Sequence, residues 1–297
     1  LLSAMLHYER TGRNKDDLLR DLRTQRGTAD RYIRALESLI EASIETSEPL
    51  YRQEDLVFLG MLHSAVRDDP HRAVAIYDLA LQHDPTSVFA QFNRAGAFLH
   101  ANYPPNHRLA LEAYKRILSL RPRDASALNM GIRAAVFIGE WDDGLSFAST
   151  LHDMAQGHPQ MRFRRGLLAF QAGRWAQAKR DFIITAQHVA RTAEAEDLLT
   201  KSWLYTAHCS LRLGELQAAN VEYTTAIGLA PRSPEPWLGR ALTGRHLGDA
   251  SLDAAFWRDA LADVTQHLEV RPTSRAGLLE RARLRSRLTR RFPRRSG

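Results

Sequence analysis

The C-terminal part of the chain carries the densest group of residues with an evident chemistry, a run of arginines. Residues 281–295 read RARLRSRLTRRFPRR, with Phe292 as their one aromatic residue. Clustered guanidinium groups neutralise phosphates and release counterions from a nucleic acid backbone, although base stacking is not indicated without further aromatic rings. Candidate contacts for phosphate or an acidic partner are Arg281, Arg283, Arg285, Arg287, Arg290, Arg291, Arg294 and Arg295.

The same arginine run has a plainer interpretation. Residues 274–288 fit a solvated capping helix, which we favour, while residues 289–297 stay open between a frayed end and a docking strip. Such a strip would suit an acidic protein or a membrane surface, so the arginines alone do not predict nucleic acid binding.

The sequence lacks the common motifs of catalytic and nucleotide-binding sites. It contains no GxxxxGK[ST], HExxH, CxxC or GxSxG, and no GxGxxG follows a strand pattern. Arg94 with His100 and Arg240 with His246 have the five intervening residues found in some helical ribonucleases, but 12 histidines in an arginine-rich chain make such pairs expected by chance. Cys209, the single cysteine, is expected to be a small packed hydrophobe. We predict no enzyme, no cofactor and no bound metal.

Composition bounds the class of protein. Of 297 residues, 44% are hydrophobic, which excludes a disordered polymer. The formal net charge is +7. Residues 271–297 hold ten Arg and one Glu, so the rest of the chain holds 31 of the 41 Lys and Arg residues and 33 of the 34 Asp and Glu residues. The basic character therefore belongs to the C-terminal segment.

No apolar run approaches the roughly 18 residues of a transmembrane helix, and one cysteine suits a reducing compartment. We expect an intracellular protein, cytoplasmic or organellar.

Residues 200–233 contain the pattern on which most of the chain is built. Gly214 lets the backbone leave a first helix in a left-handed conformation, and Pro231 ends a second helix because proline cannot donate the next hydrogen bond. Trp203 and Tyr223 are expected to fill the space between helices. Such a helix pair cannot bury its apolar face alone, so it implies neighbouring pairs.

The same residue types recur at fixed spacings. The spacing from Tyr223 to Pro231 is found again at 77–85 and at 114–122. Seven extra residues around 191–197 interrupt the 34-residue interval between successive copies and are expected to lengthen a helix or its connection. Further copies of a 34-residue interval are Trp203 with Trp237, Gly139 with Gly173, and Gly214 with Gly248.

This recurrence resembles the tetratricopeptide-repeat (TPR) family, whose unit is a helix-turn-helix of about 34 residues. The resemblance implies an all-α, right-handed superhelical solenoid of about six helix pairs with a C-terminal capping helix. We place the repeats at about 53–86, 89–123, 125–158, 159–192, 200–233 and 234–273.

The predicted domains follow from these repeats. Residues 1–52 form an irregular helical segment or cap, 53–273 the repeat array, and 274–297 a basic capping helix and tail. In the capping helix, Leu278, Leu279 and Ala282 are expected to lie on the last repeat.

In this family the concave face of the solenoid is lined mainly by first helices. Such a face, apolar in its middle and basic at several points, would suit a peptide or helix with some acidic residues. For any single residue, packing between repeats is an equally good interpretation. Carried over by position, the predicted partner-binding groove consists of Asn93, Asn129, Arg133, Phe163, Leu167, Phe170, Gln171, Leu204, His208, Arg212, Leu238, Leu242 and Arg245.

One subgroup of the family holds the C-terminal carboxylate of chaperone tails. Asn129 and Arg133 resemble part of that clamp, but Phe163 and Leu167 stand where the matching basic pair is needed. Capture of such tails is therefore disfavoured.

The leading functional hypothesis is a non-enzymatic scaffold that binds a peptide or helix of a partner protein, within a multi-protein assembly. Two alternatives stay open. One is an RNA- or ribonucleoprotein-associated structural subunit that uses the arginine-rich tail, and the other is a regulatory repeat domain of a longer protein.

Overall fold

A computed structural model describes residues 15–46, 51–99, 106–189 and 193–291. Throughout these ranges the regular secondary structure is helical. The helices are α1 (Lys15–Thr24), α2 (Arg26–Thr46), α3 (Gln53–Ala65), α4 (Pro70–His83), α5 (Val88–Phe98), α6 (His107–Leu120), α7 (Ala125–Ile138), α8 (Trp141–Met154), α9 (Pro159–Gln171), α10 (Trp175–His188), α11 (Ala193–Leu213), α12 (Leu216–Leu229), α13 (Pro234–Ser251), α14 (Ala254–Val270) and α15 (Arg275–Arg291).

The chain divides into two compact units, Leu1–Phe147 and Ala148–Gly297. In the first unit, α3 to α7 pack in chain order, and α3 also contacts α5. In the second unit, α9 to α15 pack in chain order, and the alternate helices α9, α11, α13 and α15 contact one another in turn. Each unit is therefore a stack of helix pairs, as expected of a solenoid in which each pair buries its apolar face on its neighbours.

The predicted fold class, an all-α solenoid of about six helix pairs with a C-terminal capping helix, is confirmed. The pairs run from α3–α4 to α13–α14, and α15 follows as the cap. Helices α4, α6, α12 and α14 each end two residues before a proline, because the proline ring cannot continue the helix. Gly139, Gly173 and Gly214 have φ angles of +76°, +73° and +79°, so glycine permits the left-handed turn after α7, α9 and α11.

Gly248 does not form the turn that its 34-residue spacing predicted. Helix α13 continues through it to Ser251, and Leu252 takes the left-handed conformation with φ +56°. The reason is packing, since a Cβ atom at Gly248 would lie 2.4 Å from Nε1 of Trp257. The same nitrogen donates to the Asp249 carboxylate at 3.1 Å. Gly248 and Asp249 therefore contact the indole ring of Trp257 instead of ending helix α13.

The insertion around residues 191–197 lengthens a helix, as expected. Helix α11 has 21 residues, compared with 13 in α9, the first helix of the preceding pair. Because loops and helix ends of a solenoid touch only neighbouring repeats, such additions leave the stacking intact.

The N-terminal helices pack on the first predicted repeat. Leu22 of α1 and Ile33 and Leu36 of α2 are buried, and the Arg23 guanidinium donates to the carbonyl of Ala65 at 3.0 Å. Helix α2 begins at Arg26, so Asp30 lies inside the helix and does not cap its N-terminus. Its carboxylate is 2.8 Å from Arg67 instead. Residues 1–14 and 47–50 of the predicted N-terminal segment lie outside the described residues.

The capping helix contacts the last pair through a different face from the one predicted. Leu278 and Leu279 are 40% and 51% exposed, whereas Glu280 and Leu284 are buried. Gly277 determines which face of α15 packs against the last pair, because its missing side chain leaves room for the His267 ring. A Cβ atom at Gly277 would lie 2.6 Å from that ring. His267 is held by the carbonyl of Pro234 and the hydroxyl of Ser274, both at 2.8 Å.

Neighbouring helices come close together where a glycine faces an aromatic ring. In the tightest of these contacts a Cβ atom on the glycine would come within 3.0 Å of the ring, so the two helices leave no space for a side chain. The rings are buried and cannot swing aside, because protein interiors are close-packed. Examples are Gly60 with Tyr77, Gly166 with Phe182, and Gly239 with Tyr223.

We predict that Gly239→Ala lowers the free energy of unfolding by about 1–3 kcal/mol, because the new methyl group overlaps the fully buried Tyr223 ring. Gly228→Ala is the matched control, since nothing lies within 4 Å of a Cβ atom there. That control should be neutral or stabilise by up to about 1 kcal/mol through helix propensity. Urea denaturation measures both changes, and equal values for the two variants would contradict the packing assignment.

Candidate functional site

The first helices of the second unit form one continuous face. Helices α9, α11 and α13 contact one another in turn, while α10 and α12 pack between them. We call the surface formed by α9, α11 and α13 the first-helix face. Ten of the predicted groove residues, from Phe163 to Arg245, belong to these three helices.

An aromatic cluster lies at the centre of this face, around Tyr205 of α11. Its ring stacks on Phe182 with centroids 5.3 Å apart, and it meets Phe163 and Phe170 edge-on at 5.9 and 5.6 Å. Phe163 is only 8% exposed. Phe163, a predicted groove residue, is therefore mainly an interior packing residue, whereas Tyr205 went unpredicted although it organises the cluster.

The other apolar groove residues are half-buried. Phe170 packs edge-on against Trp175 with centroids 4.9 Å apart. Arg212 is exposed and places its guanidinium 4.6 Å from the centre of the Trp175 ring, a cation–π contact that fixes its position. Gln171 is exposed beside them, and the half-buried remainder are Leu167, Leu204, Leu238 and Leu242.

His208 is part of the same cluster and is uncharged at neutral pH. Its ring lies edge-on to Tyr205 at 5.8 Å and contacts Tyr223 at 5.6 Å. Burial lowers the pKa of His208 to about 4, and the nearby Glu235 only partly opposes this shift. The middle of the first-helix face is therefore apolar and neutral.

Arg245, the last predicted groove residue, links α13 to α15 through an ion pair. Its guanidinium binds the carboxylate of Glu280, a residue only 1% exposed on α15, and also approaches Asp249 at 3.5 Å. Arg287 of α15 binds the same Asp249, with an Nη2 to Oδ2 distance of 2.8 Å. Arg245 and Arg287 therefore hold α15 against α13, which corrects the prediction of Arg287 as a phosphate contact.

The remaining arginines of the C-terminal run differ in their availability. Arg283, Arg285 and Arg290 are exposed, although Arg283 lies 3.6 Å from Glu280. Arg281 is half-buried. The side chain of Arg291, together with Arg294 and Arg295, lies outside the described residues.

In the first unit the two predicted groove amides bind their own helices. The side chains of Asn93 and Asn129 each donate to the carbonyl four residues earlier, both at 2.8 Å. Arg133 is exposed, and a guanidinium nitrogen lies 3.6 Å from the sulfur of Met130. Among the described residues, Phe163 and Leu167 of α9 stand where the matching basic pair is needed, so the carboxylate clamp stays incomplete.

Three apolar residues on first helices of the first unit were not among the predicted groove residues. Phe92 lies five residues after Ser87, the N-cap of α5, and Asn129 lies five residues after Asp124, the N-cap of α7. Phe92, rather than Asn93, is therefore the counterpart of Asn129. Counting from the N-caps would have found it. Val136 and Phe137, at the end of α7, are 41% and 67% exposed, and the Phe137 ring lies 4.4 Å from that of His107.

The chain resembles solved structures built from helical repeats. It matches the structure of Naa15/Naa10 bound to HypK-THB with a TM-score of 0.61 and 14% identity, over 95% of this chain and 42% of that chain. It matches YrrB, described as a TPR protein with an unusual peptide-binding site, with a TM-score of 0.50 and 13% identity, over 69% of this chain and 97% of that chain. The chain has the tetratricopeptide-repeat fold.

The TPR fold is what these likenesses establish. The chain spans 48% of the matched chain in the Cut9–Hcn1 structure, a likeness with a TM-score of 0.47 and 16% identity, and 42% of the one in the Naa15 structure. No protein-family model and no curated protein matches the sequence. Among the described helices of this TPR fold, none is long and apolar enough to span a membrane.

The two arginines whose spacing to a histidine suggested a nuclease are paired with carboxylates in the TPR fold. Arg240 binds both oxygens of Asp263 on α14, at 2.9 and 2.7 Å, whereas His246 lies 3.4 Å from Arg245. Arg94 pairs with Asp78 at 2.6 Å, and His100 lies outside the described residues. Among the described residues there is no group of His, Cys, Asp and Glu that could hold a metal ion.

The cysteine is enclosed as expected. Cys209 is fully buried in α11, and burial raises the pKa of its thiol to about 12. Because the thiolate is the nucleophilic form, this thiol is unreactive at neutral pH.

We predict that His208 makes the protein less stable as the pH falls. Between pH 6.5 and about 4, the unfolded chain takes up a proton at His208 that the folded chain does not, which removes up to about 3 kcal/mol. In His208→Gln that loss is absent, so the variant should change less in unfolding free energy between pH 7 and pH 4.5. Urea titrations of both proteins at both pH values test this, and parallel losses would show that His208 is not buried in the aromatic cluster.

Proposed function

We propose that this chain is a non-enzymatic protein-interaction scaffold whose first-helix face binds a peptide or helix of a partner. The observation that carries the proposal is the set of half-buried apolar side chains on α9, α11 and α13, together with the Tyr205 cluster that holds Phe170 in place. A rigid apolar surface with a polar edge is the usual character of a site that anchors a partner side chain.

The chemistry of the face indicates the kind of segment that it would take. Leu167, Leu204, Leu238 and Leu242 offer apolar contact, and neutral His208 adds no charge among them. Arg212 is exposed at the edge and oriented by Trp175. An amphipathic segment with apolar residues on one side and an acidic residue near Arg212 would match this arrangement.

Two structural neighbours are compatible with such a role. The Naa15 structure is of a complex with Naa10 and HypK-THB, and YrrB is described as having a peptide-binding site. These are properties of those proteins. They support the proposal only through the shared fold, because one fold serves many functions.

We predict that Leu167→Gln combined with Leu204→Gln weakens capture of a protein partner at least about fivefold, since both side chains present apolar surface on the same face. Val221→Gln is the matched control, because Val221 is 64% exposed on a second helix, α12. The measurement is quantitative affinity capture from nuclease-treated extract with the full chain, followed by titration of the purified partner. Circular dichroism confirms that all variants are folded.

Arg212→Glu tests the acidic residue of the partner, with Arg232→Glu as a control at an exposed arginine outside α11 and α13. Partner affinity should fall for Arg212→Glu alone. If the double leucine variant binds its partner as the Val221 variant does, the proposed binding face is wrong. If nuclease treatment removes every partner, the scaffold role itself is contradicted in favour of a ribonucleoprotein.

A further inference from the structure

Two first helices of the second unit are joined to their second helices by the same ion pair. Arg165 of α9 binds both carboxylate oxygens of Asp181 on α10, at 2.9 and 2.6 Å. Arg240 of α13 binds both oxygens of Asp263 on α14, at 2.9 and 2.7 Å. Each arginine is the seventh residue after the N-cap of its helix. The position therefore marks the side of a first helix on which its own second helix packs.

Helix α15 has an arginine at the same position but no such partner. Arg281 lies seven residues after Ser274, whose hydroxyl accepts from the N–H of Gly277 at 3.2 Å at the start of the helix. Arg281 is half-buried, and among the described residues no carboxylate pairs with its guanidinium. Helix α15 is the last helix that the structure describes. It thus carries the arginine of a first helix without the aspartate of a second helix.

The side of α15 beside Arg281 is uncovered. In α9 and α13 the residues one and four positions after the arginine are small and buried, namely Gly166, Ala169, Ala241 and Gly244. The second helix lies against them, since a Cβ atom at Gly244 would be 3.1 Å from that of Ala260 on α14. The same two positions in α15 are Ala282 and Arg285, and both are exposed. Helix α15 therefore leaves open the side that α9 and α13 cover with a second helix.

This uncovered side is both apolar and basic. Helix α15 contains seven arginines and one glutamate, and that glutamate, Glu280, is buried and bound by Arg245. Arg285, like Arg281, pairs with no carboxylate among the described residues. Residues three and four apart share one face of a helix. We call this stripe the open side of α15, and it consists of Leu278, Arg281, Ala282 and Arg285.

We propose that the open side of α15 binds a helix of an acidic partner protein, which takes the place of a second helix and completes a seventh helix pair. A carboxylate of that helix would bind Arg281, as Asp181 and Asp263 bind their arginines. Apolar residues one turn away on the same helix would cover Leu278 and Ala282. The site lies on α15 alone, so it can fail while the first-helix face still binds, and the reverse also holds.

The test selects a phage library of helix-forming peptides of about 20 residues on the full chain and counter-selects on two variants, Ala282→Arg and Arg281→Gln. The first fills the small position, and the second removes the charge that a carboxylate needs. We expect clones specific for wild type to carry Asp or Glu with large apolar residues three or four positions away. A synthetic fluorescent peptide from these clones should bind both variants at least about fivefold more weakly than wild type.

A double-mutant cycle identifies the ion pair. Replacing the acidic residue of the peptide by its amide should weaken binding to wild type but not further weaken binding to Arg281→Gln. Two substitutions on α15 outside the open side serve as matched controls. Ala276→Arg adds the same side chain at another exposed alanine, and Arg290→Gln removes another exposed guanidinium. Both should bind the peptide as wild type does, and circular dichroism confirms that every variant is folded.

Three results would overturn the proposal. One is an equal loss of peptide binding in Arg281→Gln and Arg290→Gln, because α15 would then be a diffuse basic surface of the kind that binds nucleic acid phosphates. Another is a selection that yields no clones sensitive to Ala282→Arg, or only clones without an acidic residue. The third is a concentration-dependent dimer that Ala282→Arg abolishes, because a second copy would then cover the open side.

Discussion

The close approach of neighbouring helices at glycine is the contact on which each unit of this chain depends. At Gly60, Gly166 and Gly239 an aromatic ring of a neighbouring helix occupies the space where a side chain would stand. The rings contribute apolar burial within a helix pair at Gly60 and Gly166, and between two pairs at Gly239. Because these contacts fix the distance and rotation of α3, α9 and α13, they also decide which residues of those helices face outward. The candidate binding surfaces are thus a consequence of the packing.

Much of the fold was predictable because backbone chemistry leaves a local signature. Prolines that end second helices and glycines that begin the turns act through their own conformational limits, as Pro231 and Gly214 do here. Gly248 has the same spacing but a different role, since the bulky Trp257 must fit against α13. A residue type therefore predicts a turn only where no neighbouring ring needs the space.

The candidate site was less predictable, because exposure depends on partners that are distant in the sequence. Leu167, Leu204 and Arg212 are half-buried or exposed on α9 and α11, and their place in a binding groove stays a prediction. Phe163 shares that pattern but is covered by Phe182 and Tyr205, and Arg245 is bound to Glu280 on α15. On the capping helix, Gly277 and His267 turn Leu278 outward. Pairing and ring contacts of this kind carry no local sequence signal.

The most direct test of the account is hydrogen–deuterium exchange on the full chain, alone and saturated with a purified partner protein. Exchange reports local protection along the chain, so it separates first from second helices. The account predicts slower exchange on binding in Pro159–Gln171 of α9 and Ala193–Leu213 of α11, with little change in Trp175–His188 of α10 and Leu216–Leu229 of α12. Protection confined to α10 and α12, or to Arg275–Arg291 of α15, would contradict it.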